Sequence, residues 1–420
     1  MNISDKIRAV RDKCGISGGE LAELAHCSKS LISKIENGER IPTDEVLQAL
    51  KDAMGYAGVP ITEKEMVEFR KELYDLYYSI KNTQLVKSRE RLDYLQPIIE
   101  KCFEEEFKIL YCLFDSYLLL REREHEKAKN KLETLTDKLD TLTDEQEYFY
   151  YYFYGCSVYK DYAKTIQCFL KAEKIAKKIV KLETNLYYSL SNIYSRIDYS
   201  PKSIAYGEIA LKMAQNSRDK AYLLDIEATL AFEYGRVGCY KLALDGLYGC
   251  LSREKVAGDA RRLDITYHNL GCVYFYMNDY ANAINYFNKA IEISAVNGWA
   301  YLNNKLHMAY ILINEKKNKE ALSLIDQLLP HAQDMPDILL FLESAKHGLN
   351  LNNAESLEYI ENTSIPQLLK MGAHEEAIKY MKILSSFYGK NSDSKKSIQK
   401  KSDYIELALL YTNKILKGEL

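Results

Sequence analysis

The sequence is poor in residues that interrupt helices and has no segment suited to a bilayer. Its 420 residues include only seven prolines, and no uninterrupted apolar run is long enough to cross a membrane. The scarcity of proline favours long helices, because proline kinks or ends a helix wherever it lies inside one. Met1 to Val10 already carry charges at amphipathic spacing, unlike a secretory signal peptide. We therefore expect a cytoplasmic protein without membrane contact.

The sequence also lacks the patterns that mark metal sites and catalytic centres. Nine cysteines and seven histidines are scattered without a Cys-x-x-Cys pair or a Cys/His cluster. Dispersed cysteines of this kind are typical of reduced thiols in a protein core. No Ser/His/Asp order and no glycine loop of the phosphate-cradling type is present. The sequence thus predicts no metal, no cofactor and no enzymatic activity.

Neither positive nor negative charge dominates the sequence, and tyrosine is abundant. Lys and Arg number 57 against 60 Asp and Glu, so the net charge is only −3. Hydrophobic residues make up 47% of the chain, which suits a folded protein with a sizeable core. The 35 tyrosines are amphipathic, so they can line a groove between long helices.

One stretch, from Asp264 to Ala295, has the pattern of a tetratricopeptide repeat. In that pattern the first helix carries a large residue, Leu-Gly and Tyr, and the second helix carries small, large and small residues. The matching residues are Tyr267, Leu270, Gly271 and Tyr274, followed by Ala283, Phe287 and Ala290. Gly271 and Ala283 are expected to be small because two antiparallel helices touch there. Such a pair cannot bury its apolar face alone, so further copies should flank it.

Degenerate copies do flank this stretch, at intervals of 40, 40 and 38 residues. The small residue of the first helix recurs as Ser191, Ala231, Gly271 and Ala309. The second-helix positions recur as Ser203 with Ala210, Ala243 with Cys250, and Ala321 with Leu328. Because the bare repeat is about 34 residues long, each unit should contain longer helices or loops. A period sustained over so much of the chain predicts a helical solenoid.

Residues 2–55 form a separate module with its own capping signals. Ser17 and Glu20 have the spacing of a capping box, and Ser28 can cap a helix that stops at Asn37-Gly38. The strings ELAELAHCSKSLISKIENGERIPT and VLQAL resemble the helix-turn-helix of the phage-repressor (Cro and repressor-like) family. The resemblance implies that the helix beginning at Ser28 enters the major groove of DNA.

The same resemblance assigns DNA contacts to individual positions. Lys29, Ser30 and Lys34 match positions that read base edges, with Ser33 beside them, and Ser17, Asn37 and Arg40 match positions that touch phosphates. Ser28, which caps the groove-entering helix, is predicted to be a DNA-binding residue as well. Gly18 departs from the family, which usually has Gln there. The module is also not basic, with eight Lys/Arg against nine Asp/Glu. One copy should therefore bind weakly, and tight binding should need two copies on a two-fold site.

The segment GYAGVP, from Gly55 to Pro60, is the clearest linker, with two glycines and one proline. We predict a helix-turn-helix domain at 1–56, a linker at 57–60 and a tetratricopeptide-like domain at 61–420. The predicted fold class is all-α, with the helix-turn-helix followed by a right-handed tetratricopeptide-like superhelix.

The concave face of such a superhelix is lined by the first helix of each pair, and here that lining is polar and aromatic. Asn side chains can pair with an extended backbone, Arg can hold a carboxylate and Tyr offers contact area. The predicted peptide-binding residues are Tyr151, Tyr154, Tyr188, Asn192, Arg196, Asp225, Phe232, Arg236, His268, Asn269, Tyr276, Asn303, Tyr310 and Asn314. The alternatives are a solvated groove without a ligand, or a slip in register that places part of this set in the core.

A helix-turn-helix followed directly by tetratricopeptide-like repeats resembles the peptide-responsive regulators of Gram-positive bacteria, the family of the Rap, NprR, PlcR and PrgX proteins. The resemblance implies a cytoplasmic quorum-sensing regulator that binds double-stranded operator DNA as a homodimer. It also implies that a short linear signalling peptide binds in the concave groove and thereby switches the activity of the protein. Asn192, Asn269 and Asn303 are then the candidates that clamp the peptide backbone.

Two other functions share this architecture. One is a module that sequesters a protein partner, such as a response regulator or an antirepressor, and the other is a phage lysis-lysogeny peptide receptor. A Rap-like phosphatase is the least favoured, because it would need a Gln-bearing helical bundle where this chain has the helix-turn-helix.

Overall fold

The computed structural model describes residues 2–181, 183–216, 222–257, 260–390 and 395–417, and its regular structure there is helical without strands. The all-α prediction, with a helix-turn-helix and tetratricopeptide-like repeats, is confirmed. Two compact units share the chain: Met1–Tyr159 with Leu170–Val180, and Lys160–Phe169 with Lys181–Leu420. Within the described ranges, every helix is too short or too polar to cross a membrane.

The described residues of the first unit form nine complete helices. These are α1 (Ile3–Lys13), α2 (Gly18–Leu24), α3 (Lys29–Glu36), α4 (Asp44–Ala53), α5 (Glu63–Lys81), α6 (Leu85–Lys101), α7 (Glu105–Arg121), α8 (His125–Glu133) and α9 (Asp144–Ser157). A 3₁₀ turn, Thr136–Thr141, separates α8 from α9, and α10 (Tyr162–Lys178) contributes residues to both units.

The predicted helix caps of the first module are present. The Ser17 hydroxyl accepts a hydrogen bond from the Glu20 N–H at 3.1 Å, and the Glu20 carboxylate accepts one from the Ser17 N–H at 2.7 Å. The Ser28 hydroxyl accepts from the Leu31 N–H at 3.2 Å and so starts α3. Arg11 on α1 pairs with Glu36 on α3 at 2.6 Å. These contacts fix α3 relative to α1 and leave its other face uncovered.

The predicted linker at 57–60 is packed, since Val59 is fully buried. Two buried lysines of the module also have partners beyond it: Lys6 pairs with Glu104, and Lys51 pairs with Glu65 at 2.7 Å. Residues 1–56 accordingly fall in the same compact unit as 61–159. The division into domains at 57–60 stays a prediction.

The second unit repeats helical pairs in the predicted order. The helices are α11 (Thr184–Arg196), α12 (Ser200–Asn216), α13 (Leu223–Arg236), α14 (Tyr240–Ala257), α15 (Ala260–Tyr276), α16 (Tyr280–Ile293), α17 (Trp299–Asn314), α18 (Asn318–Leu328), α19 (Pro336–Gly348), α20 (Ala354–Tyr359), α21 (Ile365–Lys370), α22 (His374–Lys390) and α23 (Lys395–Lys417). Leu329–His331 is a 3₁₀ turn, and Ile360–Ser364 is a π-helical turn. The predicted small residues Ser191, Ala231, Gly271 and Ala309 are all buried, one on each of α11, α13, α15 and α17.

Gly271 shows why a small residue is needed at this position of the repeat. A Cβ atom built there would lie 2.5 Å from the Phe287 ring, and Phe287 is fully buried between α15 and its neighbours. Real Cβ atoms do not approach so closely, so any side chain at Gly271 must displace the ring. The tight approach of α15 and α16 therefore depends on the glycine.

Gly271→Ala is expected to lower the free energy of unfolding by about 1–3 kcal/mol, because it overpacks the contact with Phe287. Gly249→Ala is the matched control, since a Cβ there would meet only the Arg253 guanidinium at 4.0 Å on an exposed face of α14. That change should be neutral or stabilise by up to about 1 kcal/mol, through helix propensity. Urea unfolding followed by the fluorescence of Trp299, the single tryptophan, measures both. Equal effects would contradict the packing argument.

Candidate functional sites

The second unit contains a cavity of about 650 Å³. Its walls are the first helices of successive pairs, α11, α13, α15 and α17, together with the start of α10, α19, the turn before α22 and the start of α22. The lining residues are Tyr162, Ser195, Arg196, Asp198, Phe232, Arg236, Tyr276, Trp299, Asn303, Leu306, His307, Tyr310, Asp337, Phe341, Met371, Ala373, Glu375 and Glu376. The volume lies within the range of about 300–1,000 Å³ that is typical of ligand pockets.

Six of the fourteen predicted peptide-binding residues line this cavity. They are Arg196, Phe232, Arg236, Tyr276, Asn303 and Tyr310. The first helices of the repeats thus present one shared face to the cavity, as the tetratricopeptide register predicts.

Four predicted residues of the second unit lie outside the lining but near it in sequence. The Asn192 amide oxygen accepts a hydrogen bond from the Arg196 Nε at 3.4 Å, one turn away on α11. His268 is hydrogen-bonded between α15 and α17, and Asn269, the next residue, is half-buried. Asn314 is exposed at the end of α17. Two of the three proposed asparagine clamps, Asn192 and Asn269, are therefore not part of the cavity wall.

The remaining four predicted residues have partners of their own. Tyr188 packs with its ring centroid 5.8 Å from that of Tyr222, and Asp225 pairs with Arg262 at 3.2 Å. In the first unit, the Lys171 ammonium lies 4.8 Å from the Tyr151 ring centroid, and the buried Tyr154 hydroxyl donates to Glu133 at 3.1 Å. Each of these side chains supports packing between neighbouring helices. None of the four lines the cavity.

Among the residues that line the cavity, the sequence prediction missed three of the five on α17 and all of those C-terminal to that helix. Trp299, Leu306 and His307 line the cavity beside the predicted Asn303 and Tyr310. Counted from Trp299, the other lining residues of α17 lie four, seven, eight and eleven positions further along, which is the spacing of one helical face. The sequence therefore carries a signal for this face. The contributions of α19 and α22 have no such signal, because the repeat markers are weak there.

A buried ion-pair cluster lies at one wall of the cavity. The Arg236 side chain is only 5% exposed, and its guanidinium contacts Asp198 at 2.6 Å and Glu375 at 2.9 Å. It also donates to the Ser195 carbonyl at 3.1 Å. The fully buried Glu233 lies 3.5 Å from the guanidinium. Arg236 thus already holds the protein's own carboxylates, although the sequence suggested it as a partner for a ligand carboxylate.

The cluster contains more carboxylates than cations, and this alters their proton affinities. Burial raises the pKa of Asp198 to about 7, with Arg236 opposing the shift and the Glu375 charge adding to it. Burial acts to lower the pKa of Arg236, but the surrounding carboxylates hold it well above its ordinary value. Arg236 therefore stays charged while the proton on Asp198 is exchangeable near neutral pH.

The rest of the lining divides into an acidic part and one exposed cation. Asp337 accepts a hydrogen bond from the Trp299 indole N–H at 2.8 Å, and Glu376 pairs with Lys379 at 2.7 Å. Arg196 is exposed, and within the described residues no carboxylate pairs with it. Four carboxylates and two guanidiniums line the cavity in total. The cavity can therefore hold a cationic group near Asp337 and a carboxylate near Arg196.

The first unit presents the second candidate site, the exposed face of α3. All eight residues assigned to DNA contact are exposed: Ser17, Ser28, Lys29, Ser30, Ser33, Lys34, Asn37 and Arg40. The Lys29 side chain crosses close to Gly19, where a Cβ would lie 3.0 Å from its Cε. The Asn37 amide oxygen accepts from Arg8 at 3.0 Å. Lys29, Lys34 and Arg40 thus supply the positive charge on this face.

Comparison with known protein families gives a match in the N-terminal module and another in the repeats. The helix-turn-helix family matches residues 7–58, and the tetratricopeptide repeat family matches residues 265–294. The chain is therefore a helix-turn-helix protein with tetratricopeptide repeats, and its resemblance to the peptide-responsive regulators is confirmed.

Particular relatives share most of its length. The transcriptional activator NprA of Geobacillus stearothermophilus is 24% identical, covering 86% of this chain and 93% of that protein. The response regulator aspartate phosphatase A of Bacillus subtilis is 23% identical over 80% of this chain and 90% of its own. Among solved structures, NprR in complex with its cognate peptide NprX has a TM-score of 0.71 at 21% identity, over 82% of this chain and 98% of that one. The apo form of the quorum sensor NprR from B. thuringiensis has a TM-score of 0.63 at 21% identity, over 83% of this chain and 99% of that one. At these identities the structures show a shared fold.

Proposed function

We propose that this protein is a transcriptional regulator that binds operator DNA through α3 and is switched by a short linear peptide in the cavity of the second unit. The observation that carries the proposal is the cavity itself, because one face of four successive first helices lines it in a chain that also exposes a helix-turn-helix. One relative is named a transcriptional activator, and a protein of the same fold has been solved with a peptide. These support a regulatory rather than a catalytic role.

The lining suggests how a peptide would be held. Arg196 can pair with a carboxylate, and the acidic side of the cavity around Asp337 favours a cationic side chain or the amino terminus. The Asn303 amide offers a donor and an acceptor, which suits an extended backbone. Phe232 and Phe341 provide apolar contact. We therefore propose a peptide that carries both charges and at least one apolar side chain.

Binding to DNA rests on the exposed face of α3. Lys29 and Lys34 can donate to guanine O6 and N7 in the major groove, and Arg40 can contact phosphate. Two basic residues of the module, Lys6 and Lys51, are unavailable because they are buried and paired with glutamates. We accordingly propose that two copies of the chain bind a two-fold operator, since a single weakly basic module has little affinity.

Lys34→Ala is expected to weaken binding to a selected duplex about tenfold or more, since a good base contact contributes about 1–3 kcal/mol. The duplex comes from in-vitro selection on random double-stranded DNA, and fluorescence anisotropy at fixed salt measures the affinity. Lys64→Ala is the matched control, because Lys64 is also an exposed lysine, on α5 outside the module. Failure to select any duplex, or equal affinity of the Lys34→Ala variant, would contradict the role of α3.

The peptide half of the proposal has its own readout in the same assay. Peptides of five to ten residues, retained from a random pool, should alter the fluorescence of Trp299, which lines the cavity, and change the affinity for the selected duplex. If the retained peptides leave the affinity for DNA unchanged, the proposed peptide switch is contradicted, whereas the proposed DNA site is not.

A protein partner is the second candidate, because one relative is named a response regulator aspartate phosphatase. In that case repression or activation in cells would survive the Lys34→Ala change, whereas the proposed regulator would lose it.

A further inference from the structure

Two histidines and a cysteine meet between α15 and α17. His268 and Cys272 lie one helical turn apart on α15, and His307 lies on α17 of the next repeat. One ligand atom from each of the three falls within 4.8 Å of the others. The Cys272 sulfur is 3.4 Å from the His268 Nε2, and Cys272 is only 1% exposed. The spacing of His268 and Cys272 places both on one helix face, but His307 comes from the next repeat, so only the fold brings the three side chains together.

Hydrogen bonds on the far side of each ring fix which nitrogen carries the proton. The Asn304 amide group donates to the Ala300 carbonyl at 2.8 Å, so its oxygen faces the His268 Nδ1 at 2.9 Å. An amide oxygen only accepts, and His268 must therefore be protonated at Nδ1. The His307 Nδ1 lies 2.9 Å from the Asn303 carbonyl, which likewise only accepts. Both rings are thus left with a lone pair on Nε2, and the one on His268 faces the Asn303 amide nitrogen at 3.5 Å, a long contact that an entering metal ion would replace.

This arrangement is the one that metal-binding histidines use. Such a histidine almost always donates its other N–H to a carbonyl or carboxylate, which fixes the tautomer and orients the ring. Two neutral imidazoles and one thiolate form a donor set that suits zinc, at about 2.0–2.1 Å for nitrogen and about 2.3 Å for sulfur. Tetrahedral coordination then needs ligand atoms about 3.3–3.6 Å apart, so side-chain rotations of small amplitude suffice.

We propose that His268, Cys272 and His307 bind a thiophilic divalent cation, zinc in the first place, with the fourth position open toward the cavity. His307 and Asn303 line the cavity wall, so a ligand or water in the cavity can reach that position. Cys272 binds as the thiolate and releases its proton to solvent as the metal enters. The proposal does not depend on the peptide or on DNA, and three protein ligands with one open position distinguish such a site from a closed structural one.

Cobalt(II) is the probe, because a tetrahedral cobalt site with a thiolate ligand has visible ligand-field bands and a sulfur-to-metal charge-transfer band in the near ultraviolet. The full-length protein, treated with a chelator and kept reduced by a phosphine, is titrated with Co²⁺. We expect both sets of bands to saturate at one equivalent and to disappear on addition of Zn²⁺. A wild-type titration without the charge-transfer band overturns the proposal whatever the variants do.

Variants assign the ligands. Cys272→Ser should abolish the charge-transfer band, and His307→Ala should weaken cobalt binding at least tenfold. Cys239→Ser is the control, since Cys239 is an exposed cysteine that is better placed for adventitious binding. It should leave the spectrum unchanged. A charge-transfer band that survives in Cys272→Ser, or that is lost in Cys239→Ser, would place the metal elsewhere and refute the site. Far-ultraviolet circular dichroism establishes that each variant is folded.

Discussion

Arg236→Ala is expected to lower the free energy of unfolding of the second unit by about 3–5 kcal/mol, because it leaves the fully buried Glu233 and the partly buried Asp198 without their cation. Asp198 and Glu375 lose their contacts at 2.6 and 2.9 Å, and the fully buried Glu233 loses the only cation within 4 Å among the described residues. The Ser195 carbonyl also loses a donor. Because breaking one partner of a buried pair strands the other charges, this loss should exceed that of any exposed ion pair in the chain.

Arg253→Ala provides the matched comparison. Arg253 also pairs with a glutamate, Glu227, but its side chain is 46% exposed. Water can replace that partner, so the change should cost less than about 1 kcal/mol. Urea unfolding monitored through Trp299 reports on the second unit for both variants. Similar losses for the two variants would mean that burial of the Arg236 cluster contributes little.

Much of the fold was predictable because it rests on local signals. The capping box of Ser17 and Glu20 depends on a three-residue spacing, and the structure forms both of its hydrogen bonds. The small residues at Ser191, Ala231 and Ala309 recur because the same helix contact recurs, and all three are buried. Signals of this kind survive in a single sequence because the chemistry of a cap or a helix crossing is decided within a few residues.

The candidate site was less predictable because it combines distant parts of the chain. The Glu375 backbone N–H donates a hydrogen bond to the Asp198 carboxylate, and these two residues are 177 positions apart. Nothing near Arg236 in sequence indicates that Asp198 and Glu375 will neutralise it. The π-helical turn at Ile360–Ser364 also interrupts the regular repeat before α22. The asparagine clamps were assigned by register alone, and only Asn303 lines the cavity.

The Arg236 cluster should also make stability depend on pH in a way that Asp198→Asn removes. In the folded protein the pKa of Asp198 is about 7, mainly because the carboxyl is buried, whereas an unfolded aspartate titrates near about 3.9. Between these values the native state holds a proton that the unfolded state lacks. Stability therefore falls as the pH rises through this window, by at most about 1.4 kcal/mol per pH unit. Well above pH 7 both states are ionised, and the dependence ends.

The quantity to measure is the difference between the free energies of unfolding of the wild type and Asp198→Asn at pH 5, 6 and 7. Asparagine does not titrate, so this difference should shift against the wild type by about 2 kcal/mol from pH 5 to pH 7. Arg236 and Glu375 are the charged groups that act on Asp198, and the variant retains both of them, together with Glu233 on the other side of the Arg236 guanidinium. Other groups act in both proteins and largely cancel, including His307, whose pKa burial lowers to about 3. A difference that stays constant, or that moves in favour of the wild type, would show that Arg236 keeps Asp198 ionised throughout and that the buried cluster carries no exchangeable proton.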